Sequence, residues 1–276
     1  MYTLNCKGRL LVIEKPVVMG ILNITPDSFY SGSRVQQQDE LLQKAGQMLN
    51  EGAAILDIGG QSTRPGSKRL TAEEEMERVL PAVELLKATH PGCFISVDTF
   101  YSAVANTSVH AGADMINDIS AGDMDDKMLS TVAALNVPYI AMHMKGTPDD
   151  MQNNPVYENV TKEVVDYFIK KIEQCRTAGI KDIVIDPGFG FGKTTEHNFQ
   201  LLKSMEVFRM FKVPVLAGLS RKSTIWKTLG ITPEDALNGT TVLNTIALQK
   251  GAAILRVHDV KEATEVITLL NAYANA

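Results

Sequence analysis

Three polar side chains of the sequence suit the recognition of a flat heterocycle. Asp98, Asn117 and Asp186 each stand at the end of a short apolar run. A carboxylate accepts hydrogen bonds from an amino group and a neighbouring ring N–H, and an asparagine amide offers both a donor and an acceptor. Because buried carboxylates without partners are costly, several in one pocket indicate a ligand, a metal ion or a cation that compensates their charge.

A second set of side chains near the ends of such runs is cationic or rich in hydrogen-bond donors. Its members are Asn23, Thr63, Arg64, Arg256 and His258. Together with the N–H groups of the glycine-rich turns, they suit a phosphate or a pyrophosphate. Asn23, with pyrophosphate oxygens and water, would also provide the oxygen ligands that Mg²⁺ prefers. Lys222 can serve either set.

Helix capping is the plainer explanation for some of these residues. Asp98 and Asp259 both precede a predicted helix, and an aspartate there commonly accepts hydrogen bonds from the first N–H groups of the helix. Capping does not explain the whole collection, because histidine, lysine and arginine are not N-cap residues.

His143 and the glycine-rich string before Lys193 receive no chemical role from the sequence. His143 lies between Met142 and Met144, a setting typical of a half-buried histidine with satisfied hydrogen bonds. The string 188–192 lacks the spacing of a dinucleotide-binding fingerprint, and the Gly-Lys-Thr after it lacks the upstream glycine of a Walker A motif. We expect its glycines to let a flexible loop pass close to a ligand.

The residues above are expected to follow eight short strands that alternate with helices. The predicted strands are Val17–Leu22, Ala54–Ile58, Phe94–Val97, Met115–Ile116, Tyr139–Met142, Ile183–Ile185, Val215–Leu219 and Ile254–Val257. The predicted helices are Gln37–Glu51, Ala72–Thr89, Tyr101–Ala111, Asp126–Leu135, Val160–Ala178, Thr195–Phe211, Pro233–Lys250 and Val260–Ala274. Glycines at 52, 112, 179 and 251 stand where C-caps are expected.

This alternation predicts an α/β fold, a single (β/α)₈ (TIM) barrel that occupies residues 1–276 as one domain. Strands that are apolar at nearly every position are buried on both faces, as a parallel sheet requires. Eight βα units favour a closed barrel over an open doubly wound sheet, which remains the alternative. Tyr2–Glu14 predicts an N-terminal β-hairpin, which can cap the N-terminal mouth, so that chemistry lies at the C-terminal mouth.

Composition excludes several classes of protein. The 276 residues are 45% hydrophobic and 21% charged, which is typical of a soluble globular protein. A net charge of -5 disfavours general binding to nucleic acid or to an anionic membrane. Three distant cysteines, without a C-x-x-C pair or an evident signal peptide, favour reduced thiols in a cytoplasmic protein.

Seven segments together resemble the dihydropteroate synthase family, in that family's order and across nearly the whole chain. They are Leu22–Phe29 (LNITPDSF), Asp57–Gly66 (DIGGQSTRPG), Ser96–Thr99 (SVDT), Ile116–Asp118 (IND), Asp186–Phe191 (DPGFGF), Ser220–Ser223 (SRKS) and Arg256–Asp259 (RVHD). The resemblance implies an enzyme of folate biosynthesis. Such an enzyme condenses 6-hydroxymethyl-7,8-dihydropterin pyrophosphate with p-aminobenzoate to give 7,8-dihydropteroate and pyrophosphate.

The same resemblance implies a role for individual residues. The pterin would be held by Asp98, Asn117, Asp186 and Lys222. The pyrophosphate would be held by Asn23, Thr63, Arg256 and His258, with Mg²⁺ at Asn23. p-Aminobenzoate would be framed by Phe29, Thr63, Arg64, Pro65, Phe191 and Ser220, under two mobile loops that follow the first two strands. The catalytic residues would be Asp98, Lys222 and Arg256.

A mechanism and two further properties follow from the resemblance. Mg²⁺, Arg256 and His258 would neutralise the departing pyrophosphate, and the reduced pterin would stabilise the resulting cation, which the arylamine attacks. No covalent enzyme intermediate is needed. Family members are usually homodimers that pair through their last helices, and they are targets of sulfonamides.

Two positions depart from the family pattern. Ser31 stands where many members have an aspartate in the first loop, so no catalytic role is assigned to it. Gln61 stands where glutamate is common, and glutamine keeps much of the hydrogen-bonding capacity.

Three other functions remain open at this point. A pterin-binding methyltransferase that serves a corrinoid protein would share the heterocycle set but has no evident use for Arg64, Arg256 and His258. A lyase would form a Schiff base on Lys222. A non-catalytic protein would keep the pterin pocket without the chemistry.

Overall fold

Eight parallel strands follow a short antiparallel hairpin in this computed structural model, which describes residues 1–24, 34–61, 69–147, 151 and 154–276. The hairpin consists of β1 (Tyr2–Cys6) and β2 (Arg9–Ile13). The parallel strands are β3 (Val17–Asn23), β4 (Ala53–Gly59), β5 (Phe94–Asp98), β6 (Met115–Asp118), β7 (Tyr139–Met142), β8 (Ile183–Asp186), β9 (Leu216–Ala217) and β10 (Ile254–Val257). Every predicted strand is therefore present.

The parallel strands form one sheet in the order β8-β7-β6-β5-β4-β3-β10-β9. An isolated parallel bridge between Ile185 and Val215 joins the two outer strands. All residues of β6, β7 and β8 are buried, because helices cover one face and the interior of the sheet is filled by side chains. The fold is thus the expected (β/α)₈ barrel rather than an open doubly wound sheet.

Strand β9 is the shortest and forms the seam at which the barrel closes. Its ladder covers Leu216 and Ala217, whereas the sequence predicts a strand over residues 215–219. On one side of the seam the Ile185 N–H donates to the carbonyl of Pro214 at 3.0 Å. On the other side the Ala253 N–H donates to the carbonyl of Val215 at 2.8 Å. The chain leaves the ladder at Gly218, where it enters the turn that carries the candidate site residues Ser220 and Lys222.

Nine α-helices of the described chain surround the strands. They are α1 (Arg34–Asn50), α2 (Ala72–Thr89), α3 (Ser102–Ala111), α4 (Met128–Leu135), α5 (Val160–Ala178), α6 (Thr195–Lys203), α7 (Ser223–Leu229), α8 (Leu237–Gln249) and α9 (Val260–Ala274). A 3₁₀ helix over Met205–Phe211 follows α6, so the single helix predicted for 195–211 is in fact two. Among these described residues, no helix has the length and apolarity needed to cross a membrane.

Four predicted helix starts differ from the structure. The helices expected from Gln37 and Tyr101 begin at Arg34 and Ser102, and the other two differ for identifiable reasons. The helix expected from Pro233 begins at Leu237, because Thr232 donates its hydroxyl to Asp235 at 2.9 Å and a turn occupies the intervening residues. The fourth predicted helix begins at Met128 rather than Asp126, after the Lys127 N–H donates to Asp125. In both places an aspartate side chain accepts a hydrogen bond from a residue two or three positions away. This bond stabilises a turn, so the helix begins later in the chain.

The N-terminal hairpin closes the N-terminal mouth of the barrel, as the sequence predicts. Its turn places Lys7 and Gly8 at positive φ, and the Gly8 N–H donates to the side chain of Asn5 at 2.7 Å. Inward-facing Leu4 and Leu11 belong to a buried cluster with residues from the bottoms of the parallel strands. Such burial stabilises a fold by roughly 1.5–3 kcal/mol for each large aliphatic side chain.

Substitutions on this hairpin should separate buried from exposed leucines. Leu4 is 2% exposed and Leu10 is 60% exposed. We expect Leu4→Ala to lower the free energy of unfolding by about 2–5 kcal/mol, because it leaves a cavity in the closed mouth. Leu10→Ala should change it by no more than about 0.5 kcal/mol. Urea unfolding followed by circular dichroism measures both, and equal losses would contradict the closing role of the hairpin.

Candidate active site

The C-terminal ends of neighbouring strands bring Asn23, Asp98 and Asn117 into one row. In the sheet register Asn23 pairs with Gly59, Gly59 with Asp98, and Asp98 with Asn117. Gly59 has no side chain, and a Cβ built there would lie 3.4 Å from Asn23 Oδ1 and 3.8 Å from Asp98 Cβ. Asn23 and Asp98 therefore face the same space above a glycine.

Arg256 joins two carboxylates at this mouth. Its Nε donates to Asp57 Oδ2 at 2.6 Å, and its Nη2 donates to Asp98 Oδ2 at 2.7 Å. The same Asp57 oxygen accepts from Asn117 Nδ2 at 3.1 Å. Asp57 is fully buried, and its role was not predicted from the sequence. An aspartate inside an otherwise apolar strand was the signal that could have identified it, because such a charge requires partners.

Burial and charge shift the pKa values of this cluster in opposite directions. Burial disfavours the charged guanidinium, but Asp57 and Asp98 outweigh it, so the pKa of Arg256 lies above its usual range. Burial raises the pKa of Asp98 to about 7; Arg256 opposes this shift, and the like-charged Asp57, Asp118 and Asp186 reinforce it. The mouth thus concentrates acidic groups around one permanent cation.

Asp186 and Lys222 form a second part of the site, across the barrel seam. Asp186 Oδ1 accepts the Gly188 N–H at 2.8 Å. A Cβ built at Gly218 would lie 3.8 Å from Asp186 Oδ2 and 3.7 Å from Lys222 Nζ. The Lys222 ammonium donates to the carbonyl of Phe189 and lies 4.7 Å from the centre of the Phe191 ring. Both charged side chains and the aromatic ring therefore meet at one point of the mouth.

The pKa values of this pair follow from its concave setting, which surrounds each group with protein atoms. Burial lowers the pKa of Lys222 to about 8, an effect that Asp186 opposes and Arg256 reinforces. Burial raises the pKa of Asp186, and Lys222 and the Gly188 N–H oppose that shift. Asp186, Lys222 and Arg256 shift one another's pKa values. The two parts therefore form one site.

Arg221 fixes the turn between Ser220 and Lys222. Its backbone has a positive φ of 54°, and its guanidinium donates to both oxygens of Asp259 at 2.8 and 2.9 Å. It also donates to the carbonyls of residues 233 and 234. The expected capping roles are wrong for two aspartates: Asp259 bonds Arg221 rather than the first N–H groups of α9, and Asp98 bonds Arg256.

Ser220 sets the hydrogen-bonding state of His258. Its Oγ accepts the backbone N–H of His258 at 3.2 Å and lies 3.1 Å from His258 Nδ1. In the tautomer that carries the proton on Nε2, Nδ1 accepts a hydrogen bond from the Ser220 hydroxyl and the Nε2–H is available to donate. Burial and the Arg256 charge lower the pKa of His258 to about 4. The ring is therefore a neutral N–H donor near pH 7.

The structure brings most of the predicted residues to one mouth. Those in the described part are Asn23, Asp98, Asn117, Asp186, Phe191, Ser220, Lys222, Arg256 and His258. Phe29, Ser31, Thr63, Arg64 and Pro65 lie outside the described residues. In the glycine-rich string, Gly188 and Gly190 have positive φ, and the ring of Phe191 packs against a buried cluster of Phe100, Ile119 and Met142. His143, expected to be half-buried, is 5% exposed.

Comparisons with known proteins identify the family of this chain. A family model described as "Pterin binding enzyme" matches residues 19–258. The dihydropteroate synthase of Escherichia coli (strain K12) is 42% identical over 275 residues, which cover 99% of this chain and 97% of the relative. The chain belongs to the dihydropteroate synthase family. It is accordingly an enzyme, with dihydropteroate synthase activity in folate biosynthesis.

Solved structures of dihydropteroate synthases share the fold. The Xanthomonas albilineans enzyme with 4-aminobenzoic acid has a TM-score of 0.93 and 42% identity, with coverage of 99% of this chain and 98% of that one. The Yersinia pestis enzyme, in a sulfonamide drug complex, has a TM-score of 0.92 and 41% identity, with 99% coverage of both chains.

The decrease in activity at high pH should reflect the loss of charge from the Lys222 ammonium group. We expect kcat/KM for the pterin substrate to fall above about pH 8, because the charge of Lys222 is lost through its lowered pKa. Lys222→Arg keeps a cation to much higher pH, so its profile should lack this decrease whatever its absolute rate. Initial rates from pH 6 to pH 10 measure the effect. The same decrease in both proteins would assign it to another group.

Proposed function

We propose that this enzyme condenses 6-hydroxymethyl-7,8-dihydropterin pyrophosphate with p-aminobenzoate, giving 7,8-dihydropteroate and pyrophosphate. The observation that carries the proposal is the meeting of two acceptor-rich groups, Asp186 beside Lys222 and Asp98 beside Asn117, with the guanidinium of Arg256. A heterocycle with adjacent N–H donors fits the acceptors, and an anionic leaving group fits the cation.

The pterin ring is assigned to Asp98, Asn117, Asp186 and Lys222. Asn117 and Asp186 are each 5% exposed, so a ligand that reaches them is largely removed from water. Asp186 can accept from the amino group and ring N–H of the pterin, while Lys222 donates to a ring acceptor. Buried polar groups discriminate strongly, because an analogue without the matching donors leaves them unpaired.

The pyrophosphate is assigned to Arg256, His258 and Asn23, together with Thr63. Arg256 retains its charge at all working pH values, and the Nε2–H of His258 is available as a neutral donor. Arg256 already contacts two carboxylates, so its guanidinium stays fixed in position before substrate arrives. A fixed donor needs little reorganisation when negative charge develops on the leaving group.

Mg²⁺ is the proposed metal, and the residues present fit it. The described residues contain no group of three or more His, Cys, Asp or Glu side chains set to hold a metal ion. Asn23 Oδ1 lies beside the open space above Gly59, and Mg²⁺ commonly takes few protein ligands and completes its shell with phosphate oxygens and water. When bound, the ion supplies positive charge against the pyrophosphate.

The proposed reaction proceeds by departure of pyrophosphate before attack. The bond between the exocyclic methylene carbon and the pyrophosphate oxygen breaks, and its electron pair leaves with the pyrophosphate near Arg256. Electron donation from the reduced pterin, with the carboxylates of Asp98 and Asp186 nearby, stabilises the carbon cation. The arylamine lone pair then forms the new C–N bond, and the nitrogen loses a proton to water, so the protein needs no dedicated base.

p-Aminobenzoate is assigned to the space beside Phe191 and Ser220, and Phe29, Thr63, Arg64 and Pro65 are proposed to take part in its binding. Phe191 presents a ring that Lys222 already contacts on one side, and a flat ring can stack beside it. Complexes of the Xanthomonas albilineans and Yersinia pestis relatives with 4-aminobenzoic acid and a sulfonamide support this substrate class. Sulfonamides are therefore the proposed inhibitors of this enzyme.

Three further properties are part of the proposal. Residues 1–276 form one domain, and the enzyme is located in the cytoplasm. The enzyme forms a homodimer through its last helices, where Val242, Leu269 and Tyr273 are 50%, 70% and 78% exposed. Exposed apolar side chains of this size on adjacent helices are typical of a surface that another chain covers.

The reaction is tested by p-aminobenzoate-dependent release of pyrophosphate. We expect turnover by the wild type and a loss of about 100-fold or more in Asp186→Ala and Lys222→Ala, because the pterin would lose a buried partner. Asp126→Ala and Lys203→Ala change exposed residues of the same types and should keep normal rates. Near-normal rates in either pocket variant would contradict the pterin assignment.

The same assay separates the rival functions. Pterin binding without pyrophosphate release would identify a non-catalytic protein, and methyl transfer to a corrinoid protein would identify the methyltransferase. Borohydride trapping of Lys222 with a carbonyl substrate would identify the lyase.

Removal of the metal tests the Mg²⁺ proposal. Chelation with EDTA should abolish most pyrophosphate release, and excess Mg²⁺ should restore it. Asn23→Ala should raise the Mg²⁺ concentration for half-maximal rate about ten-fold, since loss of one ligand weakens binding. Asn50→Ala, at the exposed end of α1, is the matched control. A rate that is insensitive to EDTA would refute the metal requirement.

A further inference from the structure

Lys193 is a buried lysine whose Nζ contacts four polar atoms on two neighbouring loops. It is 3% exposed. Its Nζ lies 2.9 Å from His143 Nδ1 and 3.4 Å from the carbonyl oxygen of His143, both in the loop after β7. It also donates to the carbonyls of Gly188 at 2.9 Å and Phe191 at 3.1 Å, both in the loop after β8. One side chain therefore holds both ends of the 188–191 turn against the preceding loop.

The two loops touch so closely that glycine is required between them. At Gly188, which has a φ of 71°, any side chain would overlap the carbonyl of His143. At Gly192, with a φ of 61°, any side chain would overlap the carbonyl of Lys145. The hydroxyl of Tyr157 adds a hydrogen bond to the Gly192 carbonyl at 2.8 Å. The position of the turn is thus set from the β7 side.

The turn that Lys193 holds carries most of the contacts of the Asp186–Lys222 pair. The Gly188 N–H bonds Asp186, the Phe189 carbonyl accepts from Lys222, and the Phe191 ring lies beside the Lys222 ammonium. A shift of the turn by one ångström would move all three contacts at once. Displacements of that size have large effects on bound substrates.

We propose that Lys193, anchored by His143, is the positioning residue of the pterin pocket. This inference rests on the proposed function for the identity of the pocket's ligand. The Lys193 side chain contacts backbone carbonyl groups and the His143 imidazole. It does not extend into the C-terminal mouth of the barrel. Its effect on the reaction is exerted through the turn, which keeps Asp186, Lys222 and Phe191 in register for the pterin and the arylamine.

His143 suits the role of a permanent anchor. Burial and the neighbouring Lys193 lower its pKa to about 2, so the imidazole stays neutral, and its Nδ1 lies 2.9 Å from Lys193 Nζ. The ring is held edge-on against Tyr167, with ring centres 4.9 Å apart. Buried hydrogen bonds of this kind orient the groups that contact substrate and are needed for affinity.

The test compares Lys193→Met with Lys203→Met, a change at an exposed lysine of α6. Methionine keeps the aliphatic length and removes the donors. We expect KM for both substrates to rise about ten-fold or more, because the turn loses the hydrogen bonds that position it, while kcat at saturation stays within about three-fold. Lys203→Met should keep both constants. A variant that merely unfolds would lose active enzyme, which lowers the apparent kcat and leaves KM unchanged.

Substitutions of His143 provide an independent test. His143→Asn keeps an acceptor near the Nδ1 position and should recover most of the wild-type KM. His143→Leu should raise KM, but by less than Lys193→Met, because it removes one of the four contacts of Lys193. The double variant Lys193→Met with His143→Leu should be no worse than Lys193→Met alone, because both changes break the same contact. Equal KM values in the Asn and Leu variants, or full additivity in the double variant, would overturn the proposal.

Direct binding separates this inference from the proposed reaction. Calorimetric titration with the dihydropterin pyrophosphate, without p-aminobenzoate, should give a Kd raised about ten-fold or more in Lys193→Met. A wild type that binds the pterin but releases no pyrophosphate would refute the reaction and leave this comparison intact. A wild-type Kd in Lys193→Met would refute the positioning role even if the reaction is confirmed.

Discussion

Arg256 lies between the carboxylates of Asp57 and Asp98, which precede it by 199 and 158 residues in the chain. This contact joins the last strand to the second and third parallel strands at the mouth of the barrel. Loss of one member of such a buried set leaves an uncompensated charge and commonly costs about 3–5 kcal/mol. The acidic mouth can therefore exist only when the barrel is closed and its last strand is in place.

The other charges of the site depend on the same condition. Lys222 and Lys193 come from the later part of the chain, and each compensates acceptors near Asp186. The acidic groups come mainly from strands β4, β5 and β8, whereas Lys193 and Lys222 follow β8 and β9 and Arg256 lies within β10. Neither set is stable in a low-dielectric mouth without the other. Folding thus assembles acceptors and donors from distant segments, and a substrate meets a site whose partners are already oriented.

Sequence patterns located the strands and the strand-end residues well, because period and composition depend on local chain geometry. They did not reveal the role of Asp57, whose partners Asn117 and Arg256 are distant in sequence. They also gave no role to Lys193 or His143, since a contact between loops 50 residues apart leaves no mark in spacing. The predicted boundaries of β9 and α8 differ from the structure. Pro214 and Gly218 limit the length of β9, and the Thr232–Asp235 turn delays the start of α8. Residue propensities do not indicate which of these interruptions occurs.

The narrow seam at β9 has a consequence for the whole barrel. Asp186 lies on one side of the seam, at the end of β8, and Lys222 follows β9 on the other side. A pterin bound to both would act as a non-covalent cross-link across the weakest pairing in the sheet. Pterin binding and closure of the barrel are then linked equilibria. Bound pterin therefore also slows the exchange of the Ile185 amide hydrogen with solvent.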